Sequence, residues 1–126
     1  MNDYDYLVPD ATTGKTMLSG DFVNALSSAF DILRESRVVL LNAADETFAM
    51  QSQLDTAKAE VIAGGMATGK NAEEREAKLD QIIKPVRDAL GEKKRGLRLA
   101  EHNVQCASDT VREMQMLLDA VKHGIA

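Results

Sequence analysis

Stepping alternately four and three residues from Leu79 visits Ile83, Val86, Leu90, Lys93, Leu97, Ala100, Val104, Ala107, Val111, Met114, Leu118, Val121 and Ile125. Thirteen of these fourteen positions are apolar, and only Lys93 breaks the run. A seven-residue repeat held this long marks a left-handed coiled-coil seam, because about 3.5 residues per turn is slightly under the natural helix. The N-terminal half follows the same template less strictly. Val23, Leu26, Phe30, Leu33, Arg37, Leu40, Ala44, Thr47, Gln51, Leu54, Lys58 and Val61 give eight apolar positions in twelve. Around Leu41, Ala44 and Phe48 the stripe reads as shifted by one residue, as a stutter would cause.

The punctuation agrees with two helices. From Phe22 to Ala63 there is neither Gly nor Pro, and strong helix formers dominate, which predicts one helix over about 22–63 that Ser19 or Asp21 can cap. Three glycines in the stretch 64–70 form a loop that stops it. Asn71 followed three residues later by Glu74 is a capping-box spacing, with Glu73 and Glu74 placed where the helix dipole favours negative charge. A second helix is therefore expected over about 72–123, with Gly124 as its stop. Pro85 sits inside it and predicts a kink or break near Lys84, because its ring lacks the N–H and crowds the preceding turn. Gly91 and Gly96 weaken the same stretch. Residues 1–21, with Pro9, Gly14 and Gly20 and no period of either kind, read as an irregular arm of net charge −3.

Folded about the glycine loop, the two helices make an antiparallel hairpin, a single all-α domain over 22–126, with Lys93 near Asn42 to Glu46, where Asp45 or Glu46 can neutralise it. Two helices in contact bury one narrow stripe each, whereas Val38, Val39, Leu40 and Leu41 put apolar side chains on every face of the first. A homodimer closing into a four-helix bundle, or a higher even oligomer, is the simplest way to cover them.

The chain has 126 residues, a net charge of −5, five Phe and Tyr, no Trp and one Cys. Aliphatic residues must build the interior, and neither a disulfide framework nor a cysteine-based zinc site is available. No apolar run reaches the ~18 residues of a membrane span. The chain opens with an acidic stretch rather than a signal peptide, so a cytoplasmic location is expected.

Candidate chemistry is sparse. Pro9 to Thr16 ends in Gly14-Lys15-Thr16 like a phosphate-binding loop, but Pro9 stands in place of the first glycine and no strand, helix and acidic strand end surround it in the required order. An ordinary polar turn is the expectation. Cys106 and His102 are spaced i, i+4 but lack the further ligands of a metal centre, and His123 stands apart; no metal or cofactor is expected. Lys84, Arg87, Lys93, Lys94, Arg95 and Arg98 put six cations in fifteen residues against Asp88 and Glu92, the one concentrated positive stretch of an acidic chain. It reads either as a solvated flank or as an anion-binding surface.

Gly64-Gly65-Met66-Ala67-Thr68-Gly69-Lys70-Asn71-Ala72-Glu73-Glu74-Arg75-Glu76-Ala77-Lys78-Leu79 resembles a segment of small helical-hairpin proteins of bacteriophages and prophages, the likeness covering roughly residues 55–120. Pro85 departs from that pattern. The resemblance implies a helical hairpin with a phage-type accessory role in the bacterial cytoplasm, and it carries over no catalytic residue.

The sequence thus favours a non-enzymatic, oligomeric helical protein that acts as an adaptor or inhibitor of a host or viral protein, away from membranes. The alternative is an oligomeric binder of a signalling nucleotide or single-stranded nucleic acid through the 84–98 segment.

Overall fold

The structure, a computed structural model, describes residues 7–9, 16–18 and 20–124. It is an all-α helical hairpin built from α1 (Gly20–Ala63, 44 residues) and α2 (Ala72–Lys122, 51 residues). The boundaries fall within two residues of those the punctuation predicts, because the chemistry at each end is local. At the end of α1, Gly65 takes a left-handed φ of 67°. Its N–H reaches the carbonyl of Ile62 at 3.2 Å, and the Met66 N–H reaches that of Val61 at 3.1 Å. This nested pair of bonds is the Schellman termination, which satisfies carbonyls the helix would leave orphaned. At the start of α2, the Glu74 N–H donates to Asn71 Oδ1 at 2.9 Å, and Glu74 Oε2 accepts from the Lys70 N–H at 2.7 Å. The capping box is thus present with its return bond one residue further back than usual. Gly69 is demanded by that closure: a Cβ there would lie 2.6 Å from Glu74 Cβ and 2.9 Å from the Arg75 nitrogen.

The chain divides into two compact units, one of residues 1–38 with 102–126 and one of residues 39–101. In the first, Phe22, Ala29 and Leu33 of α1 pack with Ala107, Val111, Met114 and Leu117 of α2 into a buried cluster, with Leu26, Phe30, Val104 and Leu118 against it. In the second, Leu54 and Val61 pack with Ile83 and Leu90, flanked by Met50, Ala57, Leu79 and Val86. Every described position of the α2 seam from Leu79 to Val121 is buried or half-buried, which is what the heptad spacing requires.

Several expectations are corrected. The arm is not wholly irregular: β1 (Leu7–Pro9) pairs antiparallel with β2 (Thr16–Leu18) in a register of Leu7 with Leu18, Val8 with Met17 and Pro9 with Thr16. Pro9 lies at the end of its strand, where a missing N–H costs the ladder least. The phosphate-loop-like residues 10–15 and the capping candidate Ser19 lie outside the described residues. Of the kink or break expected near Pro85, the break does not occur: α2 runs continuously through it, and the seam residues Ile83, Val86 and Leu90 hold both flanks in the core. The stutter is also absent. Leu41 and Phe48 are 62% and 76% exposed, while Leu40, Ala44, Thr47, Gln51 and Leu54 remain buried or half-buried. The one-residue offset is therefore a second stripe about 100° around the same helix rather than a slip of the first. At the other end the core takes Phe22, 1% exposed, in place of the expected Val23, which is 60% exposed.

Candidate functional site

Three surfaces carry the chemistry that the residues allow. The basic stretch of α2 lies wholly in the unit of residues 39–101. Lys93 is half-buried on the seam, and its Nζ reaches Glu46 Oε2 at 3.0 Å, the pairing expected of it. Beside it the Thr47 hydroxyl lies 2.7 Å from the Ala43 carbonyl and 3.2 Å from the Lys93 carbonyl, so its one proton is shared between the two helices. These contacts fix which residues face each other. The remaining cations are mostly paired along their own helix: Lys84 with Asp88 at 3.4 Å, Arg87 with Asp80 at 2.8 Å, and Arg95 with Glu92. Among the described residues only Lys94 and Arg98 of the six predicted anion-binding cations have no ion pair. A groove of about 430 Å³ on this stretch is lined by Arg87 and Arg95 but equally by Asp88 and Glu92. Alternating signs do not gather a phosphate.

The second surface is apolar. Of the four residues predicted to form an oligomer interface, Val38, Val39 and Leu41 are more than half exposed, and Leu40 is half-buried on the seam. Phe48, one heptad beyond Leu41, is the most exposed of the large apolar side chains described. Ile32 and Val39 form another exposed pair one heptad apart, on the opposite side of α1, whereas the exposed Leu99 and Met116 have no large apolar neighbour at that spacing.

The third surface escaped the sequence reading. In the unit of residues 1–38 and 102–126, Phe30, Leu33, Arg34 and Arg37 of α1 and Ser108, Val111, Arg112 and Gln115 of α2 line a groove of about 490 Å³. Both quartets are spaced i, i+3, i+4, i+7, so each is one continuous stripe of its helix. Arg34 pairs with Asp31, and Arg112 with Asp109 at 2.8 Å, each three residues back and each well exposed; Arg37 has no ion pair among the described residues. The visible signal was Arg37 at a seam position with Arg34 three residues before it, but nothing in the sequence alone shows that Arg112 stands across from them.

Cys106 and His102 are both exposed, with Sγ and Nε2 3.4 Å apart, and the other ring, of His123, places Nδ1 2.9 Å from the Asp119 carbonyl. No group of three or more His, Cys, Asp or Glu side chains that could hold a metal occurs among the described residues. No described helix is long and apolar enough to cross a membrane. Comparison with known proteins adds nothing to these surfaces: no family model, no curated protein and no solved structure matches the chain.

Proposed function

We propose that this chain is a non-enzymatic interaction protein, a helical hairpin that pairs with a second copy of itself and, so assembled, engages another protein in the cytoplasm. One observation carries the reading: α1 has a second apolar stripe, Leu41 and Phe48, displaced by one residue from the seam positions Leu40 and Thr47 and left exposed. A helix in a four-helix bundle touches two neighbours roughly a quarter-turn apart, and a one-residue offset supplies about 100°. Full burial of a Leu or Phe side chain is worth about 1.5–3 kcal/mol, so a two-fold contact that covers both residues in both copies has a substantial driving force. Val38, three residues before Leu41, extends the same exposed apolar surface, whereas Val39 lies with Ile32 on the opposite side of α1. A phage-type accessory role, as adaptor or inhibitor, rests only on the resemblance at the glycine turn. The anion-binding alternative is weakened by the pairing of Lys84, Arg87, Lys93 and Arg95.

Size-exclusion chromatography with light scattering tests the association. At tens of micromolar the protein should run at twice its 13.7 kDa mass or more. Leu41→Glu with Phe48→Glu should return it to one copy with its helical circular dichroism intact, since neither side chain serves the hairpin core. A wild-type monomer at that concentration would refute the reading.

A further inference from the structure

The unit of residues 1–38 and 102–126 carries a groove whose chemistry selects one kind of occupant. Its floor is apolar: Leu33 and Val111 are buried core residues and Phe30 is half-buried beside them. Its rim is cationic, from Arg34 and Arg37 on one helix and Arg112 on the other, and among the described residues no carboxylate lines it. Asp31 and Asp109, which pair with two of these arginines, sit one turn back on the same helices. The side chains of Arg34 and Arg112 are 65% and 69% exposed, so these are surface pairs that an arriving carboxylate can replace at little cost. Arg37 needs no such exchange. Because each wall is an i, i+3, i+4, i+7 stripe, the trough between them runs along two helical turns, the shape that accepts the ridge of a third helix.

From this we infer that the groove binds an acidic amphipathic helix of a partner protein, its apolar residues lying on Phe30, Leu33 and Val111 and its flanking Asp or Glu residues meeting Arg34, Arg37 and Arg112. The inference rests on the reading of the chain as an interaction protein, and it names the chemistry of the partner. Guanidinium groups suit this role because they take carboxylates in a two-pronged geometry while their stems cover apolar surface.

The probe is a fluorescent synthetic helix of about three heptads with Leu at a and d and Glu at e and g, whose repelling glutamates keep it from pairing with itself. Its fluorescence anisotropy should rise with the full-length protein, and Arg37→Glu with Arg112→Glu should weaken binding about tenfold or more. Raising the salt from about 50 to about 500 mM should weaken it further, as exposed charge pairs require. Arg37→Lys should retain more of the affinity than Arg37→Ala, with thermal melting showing each variant folded. Four results would overturn the inference: no binding at millimolar protein, equal affinity in the arginine variants, equal binding of the same peptide with Lys in place of Glu, or displacement of the peptide by short oligo(dT) at comparable concentration, which would make the groove a nucleic-acid site. The Leu41→Glu, Phe48→Glu protein separates the two readings. If it is monomeric yet binds the peptide, association and groove stand independently; if wild type proves monomeric and the peptide still binds, only the self-association fails.

Discussion

The two units solve the same packing problem with different means. In the unit of residues 1–38 and 102–126 the buried positions are filled by bulk: Phe22, Leu33, Met114 and Leu117 mesh around the small residues Ala29 and Ala107. In the unit of residues 39–101 only Leu54, Val61, Ile83 and Leu90 are buried in the cluster, and the seam passes through Thr47, Gln51 and Lys93. What that unit lacks in bulk it compensates with local devices: the Schellman turn at Gly65, the Asn71 cap and the polar contacts of Lys93. A coiled-coil seam needs apolar bulk for stability and a few polar positions to choose one register over its neighbours. Here the two requirements are met in different places.

The difference implies a first test, with the largest effect. Phe22→Ala should cost about 3–5 kcal/mol, since Phe22 is 1% exposed and is a large, fully buried side chain of the first unit's core. Chemical denaturation followed by circular dichroism reads it. The same truncation at Ile83, equally buried, removes fewer atoms and should cost about 2–5 kcal/mol, at the lower end if the smaller cluster relaxes. A loss at Ile83 that exceeds the loss at Phe22 would contradict the assignment of bulk stability to the first unit.

A second, smaller pair of effects has opposite signs within one unit. Gly65→Ala forces a Cβ into a left-handed conformation and should destabilise by about 1–2 kcal/mol. Gly96→Ala meets nothing within 4 Å and has an ordinary helical backbone, so it should stabilise by about 0.5–1 kcal/mol. Melting temperatures of the two variants measured side by side give the signs directly. Stabilisation by both would mean that the turn is not the device that ends α1.

How legible these features were follows from their range in the chain. The seam of α2, the glycine stop and the Asn71 cap are decided by residues within a turn of one another, so spacing alone revealed them. The partner of Lys93 was also within reach, because a charge on a seam must be answered by the facing helix. The face of Leu41 and Phe48 was misread as a slip because one helix with two stripes and one with a stutter give the same offset; only the burial of Leu40, Thr47 and Leu54 separates them. At Pro85, where a kink or a break is expected, the break does not occur. A local cost of about 3 kcal/mol is real, but Ile83 and Leu90 on either side are anchored in the core, and tertiary packing overrides it. The arginine groove was the least legible feature of all, since it depends on Arg112 lying across from Arg34 and Arg37, more than seventy positions earlier in the chain.

The smallest expected effect addresses the polar step itself. Lys93 and Glu46 are 42% and 60% exposed at their side chains, so their ion pair is well solvated and screened. Glu46→Gln should therefore change stability by less than about 1 kcal/mol. Its consequence should appear in specificity instead. A neutral Gln no longer answers the one charge on the α2 seam, so sliding the helices by a heptad becomes less unfavourable, and amide exchange in residues 39–101 should quicken while the other unit keeps its protection. Exchanging the pair, Glu46→Lys with Lys93→Glu, should restore slow exchange because it restores the match. If Glu46→Gln left exchange untouched, register would have to be set by the apolar positions alone, and the division of labour between the two units would reduce to a difference in core size.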